Sequence, residues 1–81
     1  MNLEIRKKAM KFIERQDKST QMRLFNAIYA IPYGDIKRLN GYDGLYRLRI
    51  GDYRVLYTIE KSRQVIIIMN VGNRGDVYDN L

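Results

Sequence analysis

The sequence predicts an α+β fold in which two N-terminal helices pack on one face of a small, mainly antiparallel sheet. Three observations carry that expectation. Apolar residues recur at helical spacing only before Pro32. The stretch YRLRIGDYRVLY at 46–57 alternates like two strands around a Gly-Asp turn, and QVIIIMNV at 64–71 is apolar on both faces, the pattern of a strand covered on two sides.

In chain order, residues 2–5 alternate polar and apolar, with Leu3 and Ile5 on one side, and predict a short first strand. In RKKAMKFIERQ, Ile5, Ala9, Phe12 and Ile13 fall at i, i+4, i+7 and i+8, one stripe of a helix whose opposite face carries Arg6, Lys7, Lys8, Lys11 and Arg15. Asp-Lys-Ser at 17–19 breaks the pattern and offers Asp17 or Ser19 as N-cap of a second helix running through Met22, Phe25, Ile28 and Tyr29. Pro32 ends it. The segment 33–45 holds three glycines and two aspartates and reads as loop, with a short strand at Ile36 to Leu39. EKSR at 60–63 is the turn into the last strand.

A chain of 81 residues holds one domain, 1–81, with a single modest core. Fifteen lysines and arginines against nine acids give a net charge of +6, which calls for an anionic partner, most simply nucleic acid or an acidic protein. No cysteine is present, so a reducing cytoplasm suits the chain, and VIIIM at 65–69 is too short to span a bilayer. A soluble cytoplasmic protein, without a membrane partner, is the expectation. With no histidine and no cysteine, imidazole bases and the common zinc sites are closed. Neither an HExxH, a Walker loop nor a dinucleotide fingerprint occurs, so any catalysis must use Arg, Lys, Tyr or carboxylates.

The hairpin is the most informative stretch. Gly51 suits the first central position of a type II′ turn, which makes Gly51-Asp52 a two-residue loop and sets Ile50 against Tyr53. Arg49 then lies directly across from Arg54, with Arg47 two residues along the same face. Tyr46, Leu48, Ile50, Tyr53, Val55 and Tyr57 form the other face, so one side of the hairpin is expected to be buried and the other cationic. Opposed like charges cost a sheet up to about 1 kcal/mol. Pairing with Asp35, Asp43 or Glu60, or simple exposure to water, would explain the arginines structurally; a phosphate-binding face would explain them functionally, because guanidinium forks match phosphate oxygens.

With the basic first helix, the Leu39-to-Gly41 element, YRLRIGDYRVLY and the ending VGNRGDVY in that order, the chain resembles the RelE/ParE toxin superfamily, and within it the RelE-like mRNA endonucleases. That resemblance implies an endoribonuclease toxin of a type II toxin-antitoxin pair, acting on mRNA in the ribosomal A site without metal or cofactor. The 2′-hydroxyl attacks the adjacent phosphate and leaves a 2′,3′-cyclic end and a 5′-hydroxyl. It also implies site residues: Arg54 and Arg74 on the scissile phosphate, Tyr78 as base, and Arg47 and Arg49 holding the RNA. Some members carry lysine where this chain has Arg47 and Arg49, and arginine keeps its proton, so their expected contribution is electrostatic. Lys7, Lys8 and Lys11 are candidates for RNA phosphates, and Tyr29, Tyr33, Tyr42 and Tyr46 for base stacking, although core packing explains Tyr46 better. The implied partners are the ribosome, mRNA and a cognate antitoxin with an acidic or amphipathic segment. A ParE-like DNA gyrase inhibitor without nuclease activity is the alternative, and it predicts that Arg54, Arg74 and Tyr78 are dispensable for toxicity. An inactive RNA-binding domain is a third reading, and it predicts no growth arrest.

Overall fold

The computed structural model describes residues 2–73. Its elements run β1 (Asn2–Ile5), α1 (Lys7–Glu14), α2 (Lys18–Tyr29), β2 (Asp35–Arg38), β3 (Leu45–Ile50), β4 (Tyr53–Glu60) and β5 (Val65–Asn73). The five strands form one sheet in the order β1-β5-β4-β3-β2, parallel between β1 and β5 and antiparallel elsewhere. Among the described residues, no helix is long and apolar enough to cross a membrane.

Each helix contributes the residues its spacing allows. Ala9 and Ile13, four apart on α1, are fully buried, and α1 lies over β5. On α2 the buried pair is Leu24 and Ile28, again four apart, while Met22 and Tyr29 are exposed. So many apolar residues crowd α2 that two stripes are available to it, and contact with β3 selects the one containing Leu24. Asp17 occupies the N-cap position, yet its carboxylate makes no capping bond. Instead Gln21 Nε2 donates to the carbonyls of Gln16, at 2.9 Å, and Glu14, at 3.2 Å, closing the connection between the helices.

The helix-side core joins Ala9, Ile13, Leu24 and Ile28 to Leu48, Val55, Tyr57, Ile66, Ile68 and Val71 from the sheet. β5 is buried through most of its length, as a strand flanked on both edges and covered on one face requires. The hairpin register matches expectation: Arg49 pairs with Arg54 and Ile50 with Tyr53. Gly51 has φ +57° and Asp52 does not enter the positive-φ region, the signature of a II′ rather than a I′ turn. Beyond Leu56 the β4/β5 register shifts by a bulge, which places Met69 opposite no residue of β4.

Candidate functional site

Side chains alternate along each strand, so Leu48 and Val55 pointing into the helix-side core put Arg47, Arg49, Arg54 and Leu56 on the opposite face. The three hairpin arginines expected to meet do share that face. Their environments differ. Arg49 is exposed and has no hydrogen bond or ion pair among the described residues. Arg54 is half-buried, and its Nη1 donates to the Gly51 and Tyr53 carbonyls, both at 3.0 Å, which fixes its head beside the turn. Arg47 is largely covered, with 17% of its side chain accessible; its Nη2 bonds to Asp35 Oδ1 at 3.3 Å and its buried Nε has no partner.

Ion pairing therefore accounts for Arg47 alone; Arg49 points to water, which the structural reading also allows, and Arg54 is held by backbone carbonyls. Asp35 sits across from Arg49 on the neighbouring strand but turns its carboxylate to Arg47. Asp43 bridges to Arg38 at 3.6 Å, while Glu60 and Glu4 both serve Arg63, at 2.7 and 3.9 Å. The hydrogen bond from Arg63 holds the Glu60 carboxyl below its usual value. Among the described residues Asp52, in the turn between Arg49 and Arg54, forms no ion pair, so the two arginines face each other without an acidic partner.

The hairpin tip that carries them is anchored to the helices. Tyr53 packs edge-on against Phe12 with ring centroids 6.1 Å apart, its hydroxyl donates to Gln16 Oε1 at 3.4 Å, and the Arg23 guanidinium lies 5.9 Å from its ring centroid. Tyr46 stacks on Tyr57 within the core, at 5.3 Å, which settles its role as packing. Burial, followed by the neighbouring Tyr46, pushes the Tyr57 hydroxyl above its ordinary pKa.

The expected cationic face is not purely cationic. Leu45 and Leu56, 6% and 1% exposed, form a second apolar cluster on it with Leu39 and Met69. The signal lies in Val55-Leu56-Tyr57, three consecutive apolar residues that supply both faces of β4. Lys7, Lys8 and Lys11 lie on α1, where with Arg15, Phe12, Asn70 and Val71 they line a groove of about 520 Å³. This second basic surface is not on the arginine face but runs beside β5, whose next residue, Gly72, is the cross-strand partner of Arg54. Lys7 and Lys8 occupy the first turn of α1 with no acid beside them, against the helix dipole. Arg74 and Tyr78 lie outside the described residues.

Two helices packed on one face of a five-stranded, mostly antiparallel sheet is the architecture of the RelE toxins. The family described as "ParE toxin of type II toxin-antitoxin system, parDE" matches residues 3–78. RelE1 of Methanocaldococcus jannaschii is 33% identical in an alignment covering 98% of this chain and 96% of its own. The RelE-RelB complex of Pyrococcus horikoshii OT3 superposes with TM-score 0.77 at 28% identity, over 93% of this chain and 96% of that one. The RelB-RelE antitoxin-toxin complex of Methanococcus jannaschii gives TM-score 0.77 at 24% identity, over 96% and 98%. The chain belongs to the RelE/ParE family of toxins of type II toxin-antitoxin systems. Within that family, the RelE1 and Pyrococcus horikoshii RelE chains match it over nearly their full length.

Proposed function

We propose that the protein is a ribosome-dependent endoribonuclease that cleaves mRNA in the A site. The observation that carries this reading is the Arg49/Arg54 pair, which has no ion pair among the described residues, on a hairpin anchored to the helices. A phosphodiester turning into a pentavalent phosphorane gains negative charge, and cations fixed in advance at that position stabilise it without reorganising. Arg54 is held by its two carbonyl bonds and presents its remaining N–H donors; Arg49 is free to close on a phosphate from the opposite strand. Arg47, tied to Asp35, contributes charge to the RNA track rather than a mobile ligand.

Arg74 completes the phosphate site in this reading, and Tyr78 takes the proton from the 2′-hydroxyl. A tyrosine ordinarily titrates near 10, about three units above neutrality. Guanidinium charge close to a phenol favours its phenolate form, and in this reading that is what makes Tyr78 a base. As the O2′–P bond forms, the P–O5′ bond breaks and the leaving oxygen takes a proton from water. The basic groove on α1 supplies contacts to ribosomal RNA phosphates. The relatives' complexes with RelB support a cognate antitoxin as the partner that neutralises the toxin.

The gyrase-inhibitor alternative draws on the ParE description of the matching family. One experiment separates the two. The native chain and Arg49→Ala, Arg54→Ala, Arg74→Ala and Tyr78→Phe are expressed in bacteria, and 5′ ends of ribosome-bound mRNA are mapped. New 5′-hydroxyl ends that vanish in the variants support the nuclease; growth arrest with intact mRNA supports the gyrase reading.

A further inference from the structure

Four tyrosines are candidates for holding a base, and the fold sorts them. Tyr46 is in the core, and Tyr29 stacks on Phe25 along α2. Tyr33 stands in the turn ahead of β2. Tyr42 lines a pocket whose Leu45, Thr58 and Met69 lie on the arginine face: about 500 Å³, bounded by Gly41, Tyr42, Asp43, Leu45, Thr58 and Met69. Tyr42 is 46% exposed and makes no hydrogen bond or ring contact among the described residues.

The pocket is built rather than incidental. The loop that carries Tyr42 is closed by the Leu39 amide donating to the Leu45 carbonyl at 2.9 Å, and is fastened to β4 by Thr58 Oγ1 donating to the Gly44 carbonyl at 2.7 Å. Leu45 and Met69 give it an apolar wall. An exposed aromatic ring above an apolar wall, beside a cationic track, is the arrangement that holds an unstacked base of single-stranded RNA.

Its distance from the phosphate site is set by the sheet. Leu45 and Thr58 are cross-strand partners, and so are Arg49 and Arg54, four residues further along the same two strands. That separation is about 13 Å at the usual rise, with Arg47 halfway. Successive phosphates of an extended single strand are spaced by about two strand residues.

We infer that the Tyr42 pocket is a nucleobase subsite, receiving the base two nucleotides from the phosphate held by Arg49 and Arg54. The inference rests on the arginine face being the RNA site, and the test separates the two. Short RNA oligonucleotides carrying 2′-O-methyl groups, which lack the attacking hydroxyl, are titrated with the protein at low salt and binding is read by fluorescence anisotropy. An abasic residue is then moved through the oligonucleotide one position at a time.

The native protein should lose about tenfold in affinity when the abasic residue reaches one particular position. Tyr42→Ala should lose a similar factor on the intact strand and become indifferent to where the abasic residue lies, whereas Tyr42→Phe should behave as native. If Tyr42→Ala binds like the native chain while Arg49→Ala and Arg54→Ala bind weakly, the subsite is overturned and the arginine face stands. If the arginine variants also bind as native, the face is not an RNA site and the subsite falls with it; if the native chain binds no free oligonucleotide, the subsite is overturned while ribosome-dependent cleavage is untouched.

Discussion

Gly51→Ala tests the turn on which the arginine pair depends. At φ +57° an L-residue places its Cβ against its own backbone, a cost of roughly 1–2 kcal/mol. The new Cβ would also come within 2.8 Å of Arg23 Nη2. That second contact is cheap, because the end of an arginine swings away, giving up a cation–π contact with Tyr53 of about 0.5 kcal/mol at an exposed site. The backbone term therefore dominates. In a domain of this size it should lower Tm by roughly 5 to 15 °C, measured by circular dichroism melting of Gly51→Ala alone and in an Arg23→Ala background. The two backgrounds should agree to within about 0.5 kcal/mol. Complete rescue by Arg23→Ala would show that side-chain crowding, not backbone strain, limits the position. An unchanged Tm would show that the turn does not require a positive φ, and the register argument for Arg49 and Arg54 would lose its basis.

Arg49→Ala should leave stability unchanged or raise it by up to about 1 kcal/mol, since an exposed side chain with no partner among the described residues is removed and its opposition to Arg54 is relieved, while RNA cleavage falls by about 10²-fold or more; a melt and a cleavage time course together check it. The same variant should flatten the salt dependence of RNA binding by roughly 0.7 in log-log slope, the value of one phosphate contact on a single strand. Leu56→Ala, at a 1% exposed position on the arginine face, should cost about 2–4 kcal/mol in denaturant unfolding, which a purely solvated face would not show. Because burial raises the Tyr57 pKa above its ordinary 10.0, the folded state holds that proton more tightly. The resulting stability is present below pH 10.0, declines as pH rises through the folded pKa, and should show no such decline in Tyr57→Phe when stability is followed into the alkaline range.

The hairpin was legible to the residue because a Gly-Asp pair between alternating runs leaves little freedom in register. β2 was harder to read. Its four residues are mostly exposed and show no clear alternation, so pairing with β3 rather than local pattern makes it a strand. On α2 the periodicity admitted Met22 and Tyr29 as readily as Leu24, and only the packing partner decides between them. At the site, position on one face followed from strand geometry, whereas the division of labour among the arginines did not. That division depends on which carboxylate reaches which guanidinium, and Asp35 reaches past its cross-strand neighbour Arg49 to Arg47. The apolar cluster beneath the arginines escaped notice because Leu56 sits between two residues that already satisfied the helix-side core.

The parallel pairing of β1 with β5 sets the order in which the molecule can be finished. Asn2–Ile5 lies against Val65–Ile68, so the first strand waits for nearly the last one before it has a neighbour. Until then α1 has no β5 beneath it, and Ala9 and Ile13 stay uncovered. Such long-range closure is slow compared with local helix formation and becomes available only late in synthesis. A chain cut short before β5 lacks both the neighbour of β1 and the cover of Ala9 and Ile13, so the first strand and the eight-residue α1 are completed only by the last strand.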